Sequence, residues 1–96
     1  MIGLIHEAET RLTAPEGVIY RALVVGQQRY DGMWQAWIEF QAVDGSPGLA
    51  TDPEIVRPTR SSLVEWAQQL DPAHYDSALV RARSIARCPH ASAVGP

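Results

Sequence analysis

Tyr30-Asp31-Gly32-Met33 constrains this chain more than any other feature. Asp-Gly between two runs of β-branched and aromatic residues is the strongest short-range signal for a β-hairpin, because a two-residue type I′ loop needs positive φ at both central positions. Val18 to Arg29 supplies one strand and Met33 to Val43 its partner, each rich in residues that fit a pleated surface. A two-residue loop at Asp31-Gly32 pairs positions whose numbers sum to 63. One face then carries Ile19, Leu23 and Val25 against Phe40, Ile38, Ala36 and Ala42, and is the expected core face. The other carries Tyr20, Val24, Gln28 and Tyr30 against Val43, Glu39, Gln35 and Met33. The same register sets Gly26 under the ring of Trp37, a known sheet device. It also sets Arg29 opposite Trp34, within reach of a cation–π contact.

Around the hairpin the chain reads as one α+β domain over residues 18–88, with an N-terminal arm at 1–17 and a tail at 89–96. In the arm, Ile5, Ala8 and Leu12 fit a short helical stripe that Thr13-Ala14-Pro15-Glu16-Gly17 ends. After the turn cluster Asp44 to Gly48, Leu49-Ala50-Thr51 and Glu54 to Arg57 form a third strand broken at Asp52-Pro53, where proline favours a sheet edge. Two helices follow. The first spans Ser61 to Leu70, with Ser62 and Glu65 as a capping box and Leu63, Trp66, Ala67 and Leu70 on one stripe. The second has Asp71 as N-cap, Pro72 at its first position, and Tyr75, Ala78, Leu79, Ala82, Ile85 and Ala86 inward, until Cys88-Pro89 stops it. The expected fold is therefore a three-stranded antiparallel meander followed by two helices packed on one of its faces.

Ninety-six residues, 46% hydrophobic and 20% charged, suit a single core and argue against disorder. All eight bases are arginine, and lysine and asparagine are absent; both have AT-rich codons, which points to a GC-rich bacterial genome. Residues 1–56 hold eight acids and three arginines, and residues 57–96 hold three acids and five arginines. That weak dipole suits self-association or steering of a partner. It lacks the basic stripe of a nucleic-acid binder. The second helix moreover opens Asp71-Pro72-Ala73-His74-Tyr75-Asp76, presenting acids where a recognition helix needs donors. One cysteine, no leader-like N-terminus and no apolar run near the ~20 residues of a membrane span lead to a cytoplasmic expectation with no membrane partner.

Chemistry-bearing residues are sparse. Cys88 and His90, with His74 and His6 elsewhere, fall short of the paired motifs of a structural metal site, so no metal or other cofactor is expected. His74 and Cys88 lie fourteen residues apart, ~21 Å along one helix, and cannot meet within a subunit. No catalytic residue is assigned; a small enzyme using Cys88 and His90 is the remotest alternative.

Tyr20, Asp31-Gly32, Trp34, Phe40, Pro47-Gly48 and Thr51, followed by Ser62-Leu63 and Ala67, carry a likeness over residues 18–70. In this order the chain resembles the small antitoxins of the HicB type. The resemblance implies neutralisation of a small basic ribonuclease partner, to which the acidic N-terminal portion would be suited. The stretch Glu54 to Arg60 with Leu63, Trp66-Ala67, Tyr75 and Ala78-Leu79 is also similar to small bacterial proteins from which no function follows. From the residues themselves, the leading expectation is a non-catalytic interaction module, self-associating as a homodimer or binding another protein. Its candidate interface is Tyr20, Val24, Met33 and Trp37, a half-apolar set on the face assigned away from the core.

Overall fold

The computed structural model describes residues 2–87. Its strands are β1 (Ile2–Glu7), β2 (Leu12–Thr13), β3 (Ile19–Gln28), β4 (Trp34–Ala42), β5 (Leu49–Ala50) and β6 (Ile55–Arg57); its helices are α1 (Arg60–Gln68) and α2 (Pro72–Arg87). The fold is α+β, an antiparallel sheet followed by two C-terminal helices. The sheet has six strands in four rows, not three strands. β3 and β4 are the long central pair, β1 and β2 share the far edge of β3, and β5 and β6 share the far edge of β4.

The central hairpin is slipped by one from the expected register. Tyr20 pairs with Ala42 and Gln28 with Trp34, so paired numbers sum to 62. Loop chemistry is the reason. A type I′ loop needs Asp31 at positive φ, yet only glycines adopt positive φ among the described residues, Gly32 at +89°. The chain instead spends three residues, Tyr30-Asp31-Gly32, on the reversal. Arg29 N–H donates to Met33 O at 2.7 Å, Gly32 N–H to Arg29 O at 3.0 Å, and Met33 N–H to Asp31 Oδ1 at 3.0 Å. This is the turn followed by a left-handed glycine that three-residue hairpin loops favour.

A slip of one exchanges the faces of a whole strand. Tyr20, Ala22, Val24 and Gly26 join Ala36, Ile38, Phe40 and Ala42 on the core face, while Arg21, Leu23, Val25 and Gln27 turn outward. Small residues explain why this face takes the helices. A Cβ at Gly26 would lie 2.8 Å from Ile5 Cγ1 and 3.0 Å from Leu63 Cδ1, so the bare glycine lets β1 and α1 close over the sheet. Ala22 and Ala36, both fully buried, leave similar room. Phe40, Ile38, Leu63 and Val24 are the largest fully buried side chains, and Tyr20 meets Phe40 edge-on at 6.4 Å. Trp37 does not cover Gly26; it pairs with Val25.

Residues 1–17, expected as an arm, supply β1 and β2 instead. A bulge between Leu4 and His6 turns Ile5 toward the core. Ile5 and Leu12 are buried and Ala8 half-buried, so the stripe read as helical marks the inward positions of an interrupted strand. The opposite edge breaks where Asp52-Pro53 was expected to break it, between β5 and β6.

The helix stripes hold in part. Leu63, Ala67, Tyr75, Ala78, Leu79 and Ala82 are buried, whereas Ile85 and Ala86 are exposed, so the packed stripe of α2 stops at Ala82. α1 begins at Arg60, one residue earlier than expected, and Thr59 is its cap: Thr59 Oγ1 accepts from Ser62 N–H at 3.1 Å. Asp71 caps α2 as expected, its Oδ1 accepting from His74 N–H at 2.9 Å. Ion pairs tie α2 to both ends of the sheet, Arg83 to Glu16 at 2.8 Å and Arg81 to Glu54 at 3.2 Å.

Candidate functional site

Both helices lie on one face of the sheet, and no described element lies over the other. Five of the eight large hydrophobic residues left exposed among the described residues (Ile2, Leu4, Ile19, Val43 and Val56) belong to that outer face, which places the uncovered apolar surface there. Its most apolar row crosses three strands as Leu4–Val25–Trp37. Val25 is only 6% exposed because it lies between its two larger neighbours, while Leu4 is 52% exposed. The adjoining rows are Ile2–Gln27–Gln35–Val56 and Glu7–Leu23–Glu39–Ala50. Arg21 pairs with Gln41 beyond them, and Val43 N–H donates to Ile19 O at 2.9 Å at the end of the hairpin.

Glu7 with Arg21, and Trp37 with Glu39, find partners within this face. Arg21 grips the Glu7 carboxylate with both arms, Nε to Oε2 at 3.0 Å and Nη2 to Oε1 at 3.1 Å. That hydrogen bond holds the Glu7 carboxyl below its ordinary range and raises the Arg21 guanidinium above its own. The Trp37 indole N–H donates to Glu39 Oε2 at 3.0 Å. The ring is therefore held in place with its polar atom satisfied, the condition in which a tryptophan offers a rigid apolar surface to a neighbour.

The four expected interface residues do not share this face. Tyr20 and Val24, 5% and 0% exposed, lie in the core, on the face that takes the helices. Met33 and Trp37 remain on the outer side, both half-buried. Leu4, Leu23 and Val25 take the places of the two lost residues. Leu4 went unseen because its segment read as an arm, and Leu23-Val24-Val25 offers apolar side chains at both parities. Only loop length decides between them. Arg29 pairs with Asp31 at 3.2 Å, and the residue opposite Trp34 is Gln28.

Two further groupings stand on the helix side. Glu54, its side chain 8% exposed, accepts from His74 Nε2 at 3.0 Å and faces Arg81 at 3.2 Å, with Trp66 edge-on to the His74 ring. The three side chains close on one another, fastening α2 to the β5–β6 edge. A cleft of about 440 Å³ opens between the β1–β2 connection and the α1–α2 junction, lined by His6, Thr10, Gln68, Leu70 and Tyr75 among others. The Tyr75 hydroxyl is buried without a partner, and burial pushes its pKa up. Among the described residues no three His, Cys, Asp or Glu side chains come close enough to hold a metal ion, and no helix is long and apolar enough to cross a membrane. Cys88 and His90 lie outside the described residues.

Comparison with protein-family models, with curated proteins and with solved structures finds no match for the chain. Its class is set by its own geometry: a sheet armoured by helices on one side and half-apolar on the other.

Proposed function

We propose that this chain is a protein-interaction module, non-catalytic in itself, that works through the outer face of its sheet. The row Leu4–Val25–Trp37 carries the reading. An antiparallel sheet with one solvated face ordinarily alternates apolar-in and polar-out. Here the out-facing positions hold a pinned tryptophan beside a valine, with a leucine on the strand beyond. Contiguous apolar surface of that kind marks a docking site, and a rigid aromatic within it is the usual energetic anchor. Glu7, Arg21 and Glu39 beside it already have partners on the face, so covering them leaves fewer polar groups unsatisfied. The most conspicuous polar cluster elsewhere, Glu54 with His74 and Arg81, is engaged in holding α2 to the sheet edge.

A photo-activated cross-linking amino acid at Leu4, compared with the same probe at Val80 on the exposed side of α2, tests this in cells. The module reading expects a discrete adduct from position 4 and none from position 80. No adduct at position 4, or the same products from both positions, contradicts it.

A further inference from the structure

We infer that the partner of this face is a second copy of the chain, related by a two-fold axis that runs parallel to the strands between β3 and β4; the inference rests on the interaction reading above. Most residues on the outer face come in like pairs across that line, Leu23 opposite Glu39 being the exception. Val25 faces Trp37, Ile19 faces Val43, Arg21 faces Gln41 and Gln27 faces Gln35. One row further out on each side, Ile2 and Val56 end the same cross-strand line.

A face-to-face two-fold along this line lays β3 of one copy over β4 of the other. Each residue then meets the equivalent of its own cross-strand neighbour. Val25 meets Trp37, Ile19 meets Val43 and Ile2 meets Val56, apolar on apolar, while the glutamines meet each other and Arg21 meets Gln41. Glu39 of the second copy comes over Leu23, beside Glu7 in the same row and one outward position along β3 from Arg21, so it approaches the Glu7–Arg21 ion pair as a whole. An isologous contact requires a patch to complement itself, and this one does so in every paired row of β3 and β4 except that of Leu23 and Glu39. A hetero-partner imposes no such symmetry on the residues it meets.

The size is adequate. Four rows at ~4.8 Å spacing and the nine positions from Ile19 to Gln27 at ~3.4 Å give roughly 500 Å² of flat sheet. Two copies together then bury about 1,000 Å², the lower bound for a specific interface. The two sheets pack ~10 Å apart with strands within ~30° of each other, as in β-sandwiches.

Two variants in a Cys88→Ser background, Ile2→Cys and Val56→Cys, test the arrangement with a short bis-maleimide cross-linker, alongside light scattering of the purified chain. The expected result is a dimeric mass and covalent dimers only when the two variants are mixed. Within either variant alone, the two thiols sit three rows apart across the axis, ~14 Å sideways as well as ~10 Å between sheets, beyond the linker. A monomeric mass at all concentrations overturns the second copy, while a hetero-adduct from position 4 in cells would leave the module reading standing. A dimeric mass with cross-links in the single-variant samples, or with none in the mixture, overturns the two-fold.

Discussion

Thr51 and Ile38 exchange two hydrogen bonds across the break in the β5–β6 edge: Thr51 N–H donates to Ile38 O at 2.9 Å, and Thr51 Oγ1 accepts from Ile38 N–H at 3.1 Å. The side chain does what backbone cannot do where the edge row is interrupted by Asp52-Pro53. Thr51 is the one buried polar residue among the described ones, 7% exposed. Thr51→Val keeps the shape and removes the acceptor, leaving the Ile38 amide without a partner, and is expected to cost about 1–3 kcal/mol. Thr51→Ser keeps the oxygen and should cost under ~1 kcal/mol, about one methyl group. Urea unfolding measures both, and amide exchange at Ile38 should quicken in the valine variant alone.

Gly26→Ala places a methyl group against Ile5 and Leu63 at 2.8–3.0 Å. Overpacking of this kind costs about 1–3 kcal/mol. The Ile5 atoms concerned are the end of a side chain, so the strain should depend on Ile5. In a double-mutant cycle, Ile5→Ala is expected to cost less in the Gly26→Ala background than in the parent chain. Strict additivity would show that the glycine is not there to let β1 and α1 approach.

The cap of α1 separates two assignments three residues apart. Thr59→Ala removes the acceptor for Ser62 N–H and should cost about 1 kcal/mol. Glu65→Ala, the acid of the capping box expected at Ser62, should stay within ~0.5 kcal/mol, as ordinary surface substitutions do. Thermal unfolding of the two variants decides it; equal losses would move the cap.

Arg21 lowers the pKa of Glu7 by hydrogen bonding to it. A carboxyl whose folded pKa lies below its unfolded one adds stability that is complete above the unfolded value and is lost as pH falls through the folded one. The contribution therefore disappears on the acid side only, below the ordinary carboxylate range. Arg21→Gln should return the Glu7 midpoint upward, read by NMR titration of its side-chain carboxyl. An unmoved midpoint would mean that the pair seen across β1 and β3 does not persist in solution.

How much of this could be read from the residues depends on which constraints are local. Asp71-Pro72, the Asp52-Pro53 break and the Leu63/Ala67 stripe follow from short-range chemistry, and the structure keeps all three. The alternation of β4 is equally clear, since Ala36, Ile38, Phe40 and Ala42 share one parity. β3 is ambiguous because Leu23, Val24 and Val25 suit either face. Its orientation hangs on whether the loop spends two residues or three, which turns on the left-handed cost at Asp31. β1 was illegible for another reason: its bulge at Ile5 breaks the period-two pattern and counterfeits a helical stripe. The outer face inherits both errors: Met33 and Trp37 of the β4 side fall on it as expected, whereas Tyr20 and Val24 of β3 do not.

The central claim is that Leu4 and Trp37, on either side of the buried Val25, are left open in the single chain and are covered by a partner of its own kind. Sedimentation equilibrium of the parent chain and of Leu4→Glu, with circular dichroism to verify folding, addresses it most directly. The parent should sediment at twice the mass of one chain, and the folded Leu4→Glu variant at the mass of one. A parent chain that stays monomeric, or a Leu4→Glu variant that dimerises as tightly as the parent, would contradict it.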